Sequence, residues 1–173
     1  MIIDEIVGRR AVRRYDDRRL PEDAFRRILE AGRLAPSARN AQDWRIVVVR
    51  DPALRDRLVE AASPHQAWLK TAPVLLVACG LDPDYVMRCG QPAYPIDLAI
   101  VLDHISLQAV AEGMGTCWIG SFYEGPAREV LGIPDRIRLV QIMSLGYPLD
   151  TPGPTPRKSF DRLYAFDGWV AGR

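Results

Sequence analysis

The sequence has almost nothing from which a metal centre or a hydrolytic triad could be built. His65 and His104 are its only histidines, and neither has a His, Cys or carboxylate at ligand spacing, so both are expected to be structural or surface residues. Cys79, Cys89 and Cys117 are odd in number and lack C-x-x-C spacing. That excludes a disulfide framework and a zinc knuckle, fits a reducing cytoplasm, and leaves Cys117 a core residue. No basic segment followed by an apolar one opens the chain at Met1-Ile2-Ile3-Asp4-Glu5, and no apolar run approaches the ~18 residues of a membrane span. A soluble cytoplasmic protein is expected. Excess charge is missing too: 23 basic and 22 acidic residues leave a net charge of +1, so no global field recruits nucleic acid or an anionic membrane. Lysine is nearly absent, with only Lys70 and Lys158, but arginine in its place points to no function.

What is present is apolar side chain, 48% of 173 residues, enough for one globular domain. After Pro21, the residues Ala24, Phe25, Ile28, Leu29 and Leu34 recur at helical spacing and predict an amphipathic helix over 21–34. Ile46–Val49 and Val74–Ala78 are short β-branched runs that read as strands buried on both faces. Between them a helix opens after Asp51-Pro52, with Asp51 as its cap. From Asp97 to about Gly113 runs a helix apolar around most of its circumference, with Asp97 read as its cap and Gly113 as its stop. A domain this small buries such a helix most easily against a second subunit, so a homodimer is expected. Thr116–Phe122 and Leu139–Leu145 supply two more strands. Pro148, Pro152, Pro154 and Pro156 then stiffen a segment leading to an aromatic tail with Phe160, Tyr164, Phe166 and Trp169, which is expected to pack elsewhere, on the partner.

Three clusters carry possible chemistry. Arg9-Arg10-Ala11-Val12-Arg13-Arg14 brings together four guanidiniums able to fork onto a phosphate or face a polarised ring oxygen; it also reads as a solvated helix end, or less readily as a nucleic-acid arm. Pro36-Ser37-Ala38-Arg39-Asn40-Ala41-Gln42 offers small residues and side chains that both donate and accept, suited to the edge of a flat heterocycle; it equally suits an ordinary helix–strand loop. Gly113-Met114-Gly115-Thr116-Cys117-Trp118-Ile119-Gly120 lacks the G-x-G-x-x-G spacing and follows a helix, which disfavours a Rossmann site, although Gly120 would let main-chain N–H groups approach a ligand.

Taken in order, these clusters resemble the nitroreductase family of flavoenzymes, with its R-R-S-x-R, A-P-S-G-x-N-x-Q-P-W and G-x-G-x-x-W-x-G pattern, across nearly the whole chain. The resemblance implies an α+β fold with a central, mostly antiparallel or mixed sheet flanked by helices. It implies an intertwined homodimer with FMN at the interface and residues 148–173 packing on the partner. Carried over, Arg9, Arg10 and Arg13 would hold the flavin from one subunit, with Arg13 at the pyrimidine end, and Pro36, Ser37, Ala38 and Asn40 would come from the other. Main chain around Ile119 and Gly120 would lie near the reactive N5 region, and Arg157 with Lys158 would meet the phosphate. Ala11, Ala38 and Asp43 depart from the usual serine, glycine and proline, and the segment Leu81–Ala93 matches no part of the pattern; it is free to shape a substrate pocket.

The activity implied is transfer of electrons from NADH or NADPH through FMN to a small oxidised acceptor (nitroaromatic, quinone or flavin) by a ping-pong mechanism, with no catalytic side chain beyond an electrostatic role for Arg13. Alternatives are a flavoenzyme acting on one metabolite or on reduced flavin, and a dimeric flavin-binding protein without turnover.

Overall fold

Four antiparallel strands in the order β1-β2-β4-β3 form the centre of the computed structural model, which describes residues 1–169. The strands are β1 (Trp44–Val49), β2 (Val74–Gly80), β3 (Gly115–Ile119) and β4 (Arg138–Gly146). The helices are α1 (Asp4–Gly8), α2 (Glu22–Arg33), α3 (Pro52–Ala62), α4 (Ala93–Ala111), α5 (Glu124–Leu131) and α6 (Phe160–Leu163). β2 is buried at every position, as its unbroken apolar run requires. β1 is not: Trp44, Ile46, Val47 and Val48 are only partly covered and Arg45 is exposed, because β1 is an edge strand. The other edge, β3, is capped where Val12 N–H donates to the Thr116 carbonyl at 3.0 Å. Among the described residues, the edge of β1 has no such cover.

Two apolar layers sandwich the sheet. On one face, α2 and α4 bury Phe25, Ile28, Leu98, Val101, Leu102 and Ile105 against Leu76, Met143 and Leu145. On the other, α3 packs with α5, and Leu58, Val59 and Ala127 meet Leu75, Val77 and Ile142. Asp51 caps α3 as the sequence predicts, its carboxylate accepting from Leu54 N–H at 2.7 Å. α4 begins four residues before the expected start, since Pro95 is tolerated in a first turn, and Asp97 is therefore inside the helix and does not cap it. β3 stops at Ile119, short of the expected Phe122, and α5 goes beyond any element anticipated from sequence. Gly113, with φ +70°, ends α4 in the left-handed conformation. Among the described residues, no helix is long and apolar enough to cross a membrane.

Beyond Leu149, whose N–H donates to the Arg14 carbonyl, the chain leaves this body. Residues 150–169 are all exposed, with Phe166 at 76% and Trp169 at 91%. Asp150 still pairs with Arg14 at 2.6 Å, and further out the Phe160 ring stacks on Tyr164 at 4.4 Å. The last residues of the predicted extension, 170–173, lie outside the described residues.

The N-terminal segment is locked to β4 by Tyr15. Its buried phenol donates to the Val12 carbonyl at 2.8 Å and so accepts from the Ser144 hydroxyl at 2.7 Å. Burial pushes the Tyr15 phenol well above its ordinary pKa, with the Ser144 hydrogen bond opposing. Gly146 lies under the same ring: a Cβ there would stand 2.5 Å from Pro73 Cδ and 2.9 Å from Tyr15 Cδ1. Both obstacles are rigid rings. Gly146→Ala is therefore expected to destabilise the fold by about 1–3 kcal/mol through overpacking, read as a lower urea midpoint at unchanged slope; wild-type stability would show that the rings move aside without cost.

Candidate functional site

The Arg9–Arg13 stretch runs along the capped edge of β3. Burial raises the Cys117 thiol pKa, while the charges of Arg13 and Arg9 lower it, which places both guanidiniums beside that strand. Among the described residues, none of Arg9, Arg10 and Arg13 forms an ion pair, although nine other cation–carboxylate contacts are made. Arg10 turns back instead, donating to the carbonyls of Val7 at 2.7 Å and Arg9 at 2.9 Å. Donor-only side chains without carboxylate partners suit an acceptor-rich ligand such as a phosphate or a ring with carbonyl oxygens.

The second cluster is a wound loop between α2 and β1. Arg39 (φ +55°), Asn40 (φ +53°) and Gln42 (φ +56°) all occupy the left-handed region, and only Asn does so readily. Each of the others costs roughly 1–2 kcal/mol, so the surroundings must hold them. They do so through Asp97, 8% exposed, whose Oδ1 accepts the Ala38 N–H at 3.0 Å. The Ser37 hydroxyl oxygen accepts from Gln42 N–H at 3.0 Å, leaving its own hydrogen to donate outward. Ala38 has both main-chain groups engaged, its carbonyl receiving Ala41 N–H, so toward a ligand it presents mainly its methyl group. Pro36 and Asn40 are exposed.

The two clusters do not meet within one chain. The loop adjoins the start of β1, where Trp44 pairs Gly80 and Gly80 pairs Arg138; the arginines adjoin Thr116, which pairs Leu145, itself opposite Val74. These are diagonal corners of the sheet, separated across it by three strand spacings, about 14 Å. α4 gives a second ruler. The loop is tied to Asp97, while Gly8, next to Arg9, packs on Val110, about 20 Å further along the helix. Ile119 is buried and Gly120 exposed at the end of β3. Arg157 and Lys158 lie on the exposed extension, and among the described residues Arg157 donates only within its own turn, to the Thr155 carbonyl at 3.1 Å, the Thr155 hydroxyl and the Pro156 carbonyl at 3.4 Å.

The sequence profile of the nitroreductase family matches residues 6–67 and 61–147, a span that takes in both clusters. The chain belongs to the nitroreductase family. It is 33% identical to an NADH dehydrogenase of Thermus thermophilus over 186 residues, covering 90% of each chain. It is 26% identical to an FMN reductase [NAD(P)H] of Bacillus subtilis, covering 90% of this chain and 69% of that one. A nitroreductase family protein of Clostridium novyi NT, solved as a crystal structure, is 31% identical and superposes with a TM-score of 0.79, over 85% of this chain and 84% of the other. For a nitroreductase the donor set fits FMN: unpaired guanidiniums at one corner, and an outward-facing hydroxyl and amide at the other.

Two site features were not anticipated. Asp97 reads in sequence as a helix cap, yet it anchors the loop. The segment Leu81–Ala93 meets that loop directly, the Arg39 guanidinium lying 3.7 Å above the centre of the Tyr85 ring. Asp97→Ala should leave the Ala38 N–H without its buried acceptor and free the strained loop, at a cost of about 1–3 kcal/mol. Faster amide exchange confined to residues 37–42 is the expected signature, and Asp97→Asn, which keeps an acceptor oxygen, should restore much of the protection. Uniform exchange in Asp97→Ala would remove Asp97 as the anchor.

Proposed function

We propose that this chain works as a homodimeric FMN-dependent NAD(P)H oxidoreductase that reduces a small oxidised acceptor, such as a nitroaromatic, a quinone or a flavin, by a ping-pong cycle. The observation that carries this reading is the diagonal separation of two half-sites, each with polar groups and neither complete. A two-fold axis brings the corner of one copy to the opposite corner of the other and generates two equivalent sites. The outward surface favours such pairing. Ile2 and Ile3 just before α1, and Ile6 and Val7 within it, are each more than half exposed, and Ile96 of α4 is 44% exposed, apolar surface of the kind that marks an interface.

In this reading Arg9, Arg10 and Arg13 serve one side of the cofactor, and Pro36, Ser37, Ala38 and Asn40 of the other copy serve the opposite side. Ile119 and Gly120 offer main chain, and Arg157 with Lys158 binds the phosphate. The domain is single, and its extension lies on the partner. The open edge of β1 is a fitting surface for it. Beside that edge is a groove of about 300 Å³ lined by Leu29, Gly32, Trp44, Ile46 and Ile105, and among the described residues the buried Trp44 indole N–H has no acceptor.

Bound FMN supplies the redox chemistry, accepting two electrons from NAD(P)H and yielding them to the acceptor. The chain's part is to hold, shield and polarise. Arg13, unpaired with any carboxylate in the described residues, supplies positive charge where negative charge develops, an effect that grows as water is excluded. Ser37 and Asn40 orient the ring edge. A single pocket receives donor and acceptor in turn, which gives parallel lines in double-reciprocal plots.

Protein purified without added cofactor is expected to be yellow and to oxidise NAD(P)H steadily in the presence of nitroaromatics, quinones or free flavin. Colourless protein that takes up no FMN would reject the reading, and bleaching without turnover would identify an inert binder. The shared site has its own test. Arg13→Glu and Asn40→Asp homodimers should both be poor enzymes, while their random co-expression should restore roughly a quarter of sites, because one site of each mixed dimer receives both wild-type residues. Mixed dimers, confirmed by mass, that gain nothing over the average of the two parents would place each site within one chain.

A further inference from the structure

Arg39 is neither in the proposed flavin contacts nor in the apolar core, yet the fold holds it in place from several sides. Its backbone is left-handed, a conformation a long cationic side chain adopts only under constraint. The preceding residue is pinned by Asp97. Its guanidinium carbon lies over the Tyr85 ring, 3.7 Å from the ring centre. Tyr85 is fixed in turn: its N–H donates to Asp82 Oδ1 at 3.2 Å, and its carbonyl receives the first amide of α4, Ala93 N–H, at 3.2 Å. Loop and platform therefore rest on the same end of α4. Asp43 is close to Arg39 in sequence, and Asp82 and Asp84 are close to Tyr85, but among the described residues none of them pairs with Arg39.

A guanidinium with one face on an aromatic ring keeps its edge of N–H donors free and loses little freedom when an oxyanion arrives. We propose that Arg39, held on Tyr85, is a specificity-determining residue that selects substrates bearing a carboxylate or phosphate. The proposal rests on the oxidoreductase reading above, since it assigns the substrate class of that same site. Two sources share this chemistry: an acidic group on the acceptor, and the 2′-phosphate that distinguishes NADPH from NADH. A neutral acceptor meets the same pocket without this contact.

The test uses the FMN-loaded dimer as wild type, Arg39→Gln, Tyr85→Leu and Tyr85→Phe. Dissociation constants for 4-nitrobenzoate and for its neutral isostere 4-nitrobenzamide are read from perturbation of the flavin absorbance without reductant, so no turnover is needed. KM values for NADPH and NADH are measured separately. One of the two anion-to-neutral ratios should favour the anion roughly ten- to a hundredfold in wild type, as a charge-assisted hydrogen bond would give, and collapse in Arg39→Gln. Tyr85→Leu should lose most of that preference, with Arg39 still present but unsupported. Tyr85→Phe should keep it, because the ring face and not the hydroxyl forms the platform. Loss confined to the benzoate ratio assigns the anion to the acceptor, and loss confined to the NADPH ratio assigns it to the donor. Both ratios unchanged in Arg39→Gln would overturn the proposal while leaving the oxidoreductase reading intact. Wild-type protein that binds no FMN would overturn both.

Discussion

α4 sets the scale of the molecule. Its 19 residues span about 28 Å, and both polar clusters are fastened to it, the 36–42 loop through Asp97 near its beginning and the Arg9–Arg13 stretch through Gly8 on Val110 near its end. A helix cannot shorten to bring its ends together. In the reading proposed above, two copies of the chain join the clusters around one ligand. The nearly continuous apolar circumference of α4 follows from the same position: one side is sunk on the sheet and α2, and Ile96 is left outward.

The strain in the 36–42 loop has a second root in that helix. Left-handed backbone at Arg39 and Gln42 is unfavourable for these side chains taken alone, and the carboxylate of Asp97 offsets it by a charge-assisted hydrogen bond in a covered place. Because the carboxylate is nearly buried, water competes little for the contact. The loop is thus built by its support and not by its own residue preferences, while Ala38 itself is not among the residues with positive φ, so an alanine there carries no such strain. With Ala38 N–H and carbonyl both engaged inside the protein, the residue contributes shape.

Much of this architecture was legible in the chain. Helical spacing marks α2, an Asp-Pro pair marks the start of α3, and the apolar run Val74–Ala78 marks β2, which continues two residues further to Gly80, because each element answers to local periodicity and burial. α5 was not legible: Gly125 and Pro126 near its start read as turn residues, although a proline is harmless where N–H groups lack partners anyway. The start of α4 was misplaced for the same reason, through Pro95. An apolar run also does not show whether its neighbours cover it, so β1 reads as buried when it is an edge. The three motifs named the clusters and the family. Their diagonal placement, and the meeting of Arg39 with Tyr85, depend on contacts between distant parts of the chain, which no periodicity encodes.

The uncovered edge of β1 has a consequence for how this protein fails. It presents Trp-Arg-Ile-Val-Val-Val with its outer ladder unsatisfied, a short, β-branched segment of the kind from which cross-strand growth begins. Arg45 is its only charge, and one guanidinium is a thin guard against edge-to-edge stacking. In the proposed dimer the partner's extension covers this strand, so a folded chain that has not paired would already be competent to aggregate, and solubility would follow assembly more than folding stability.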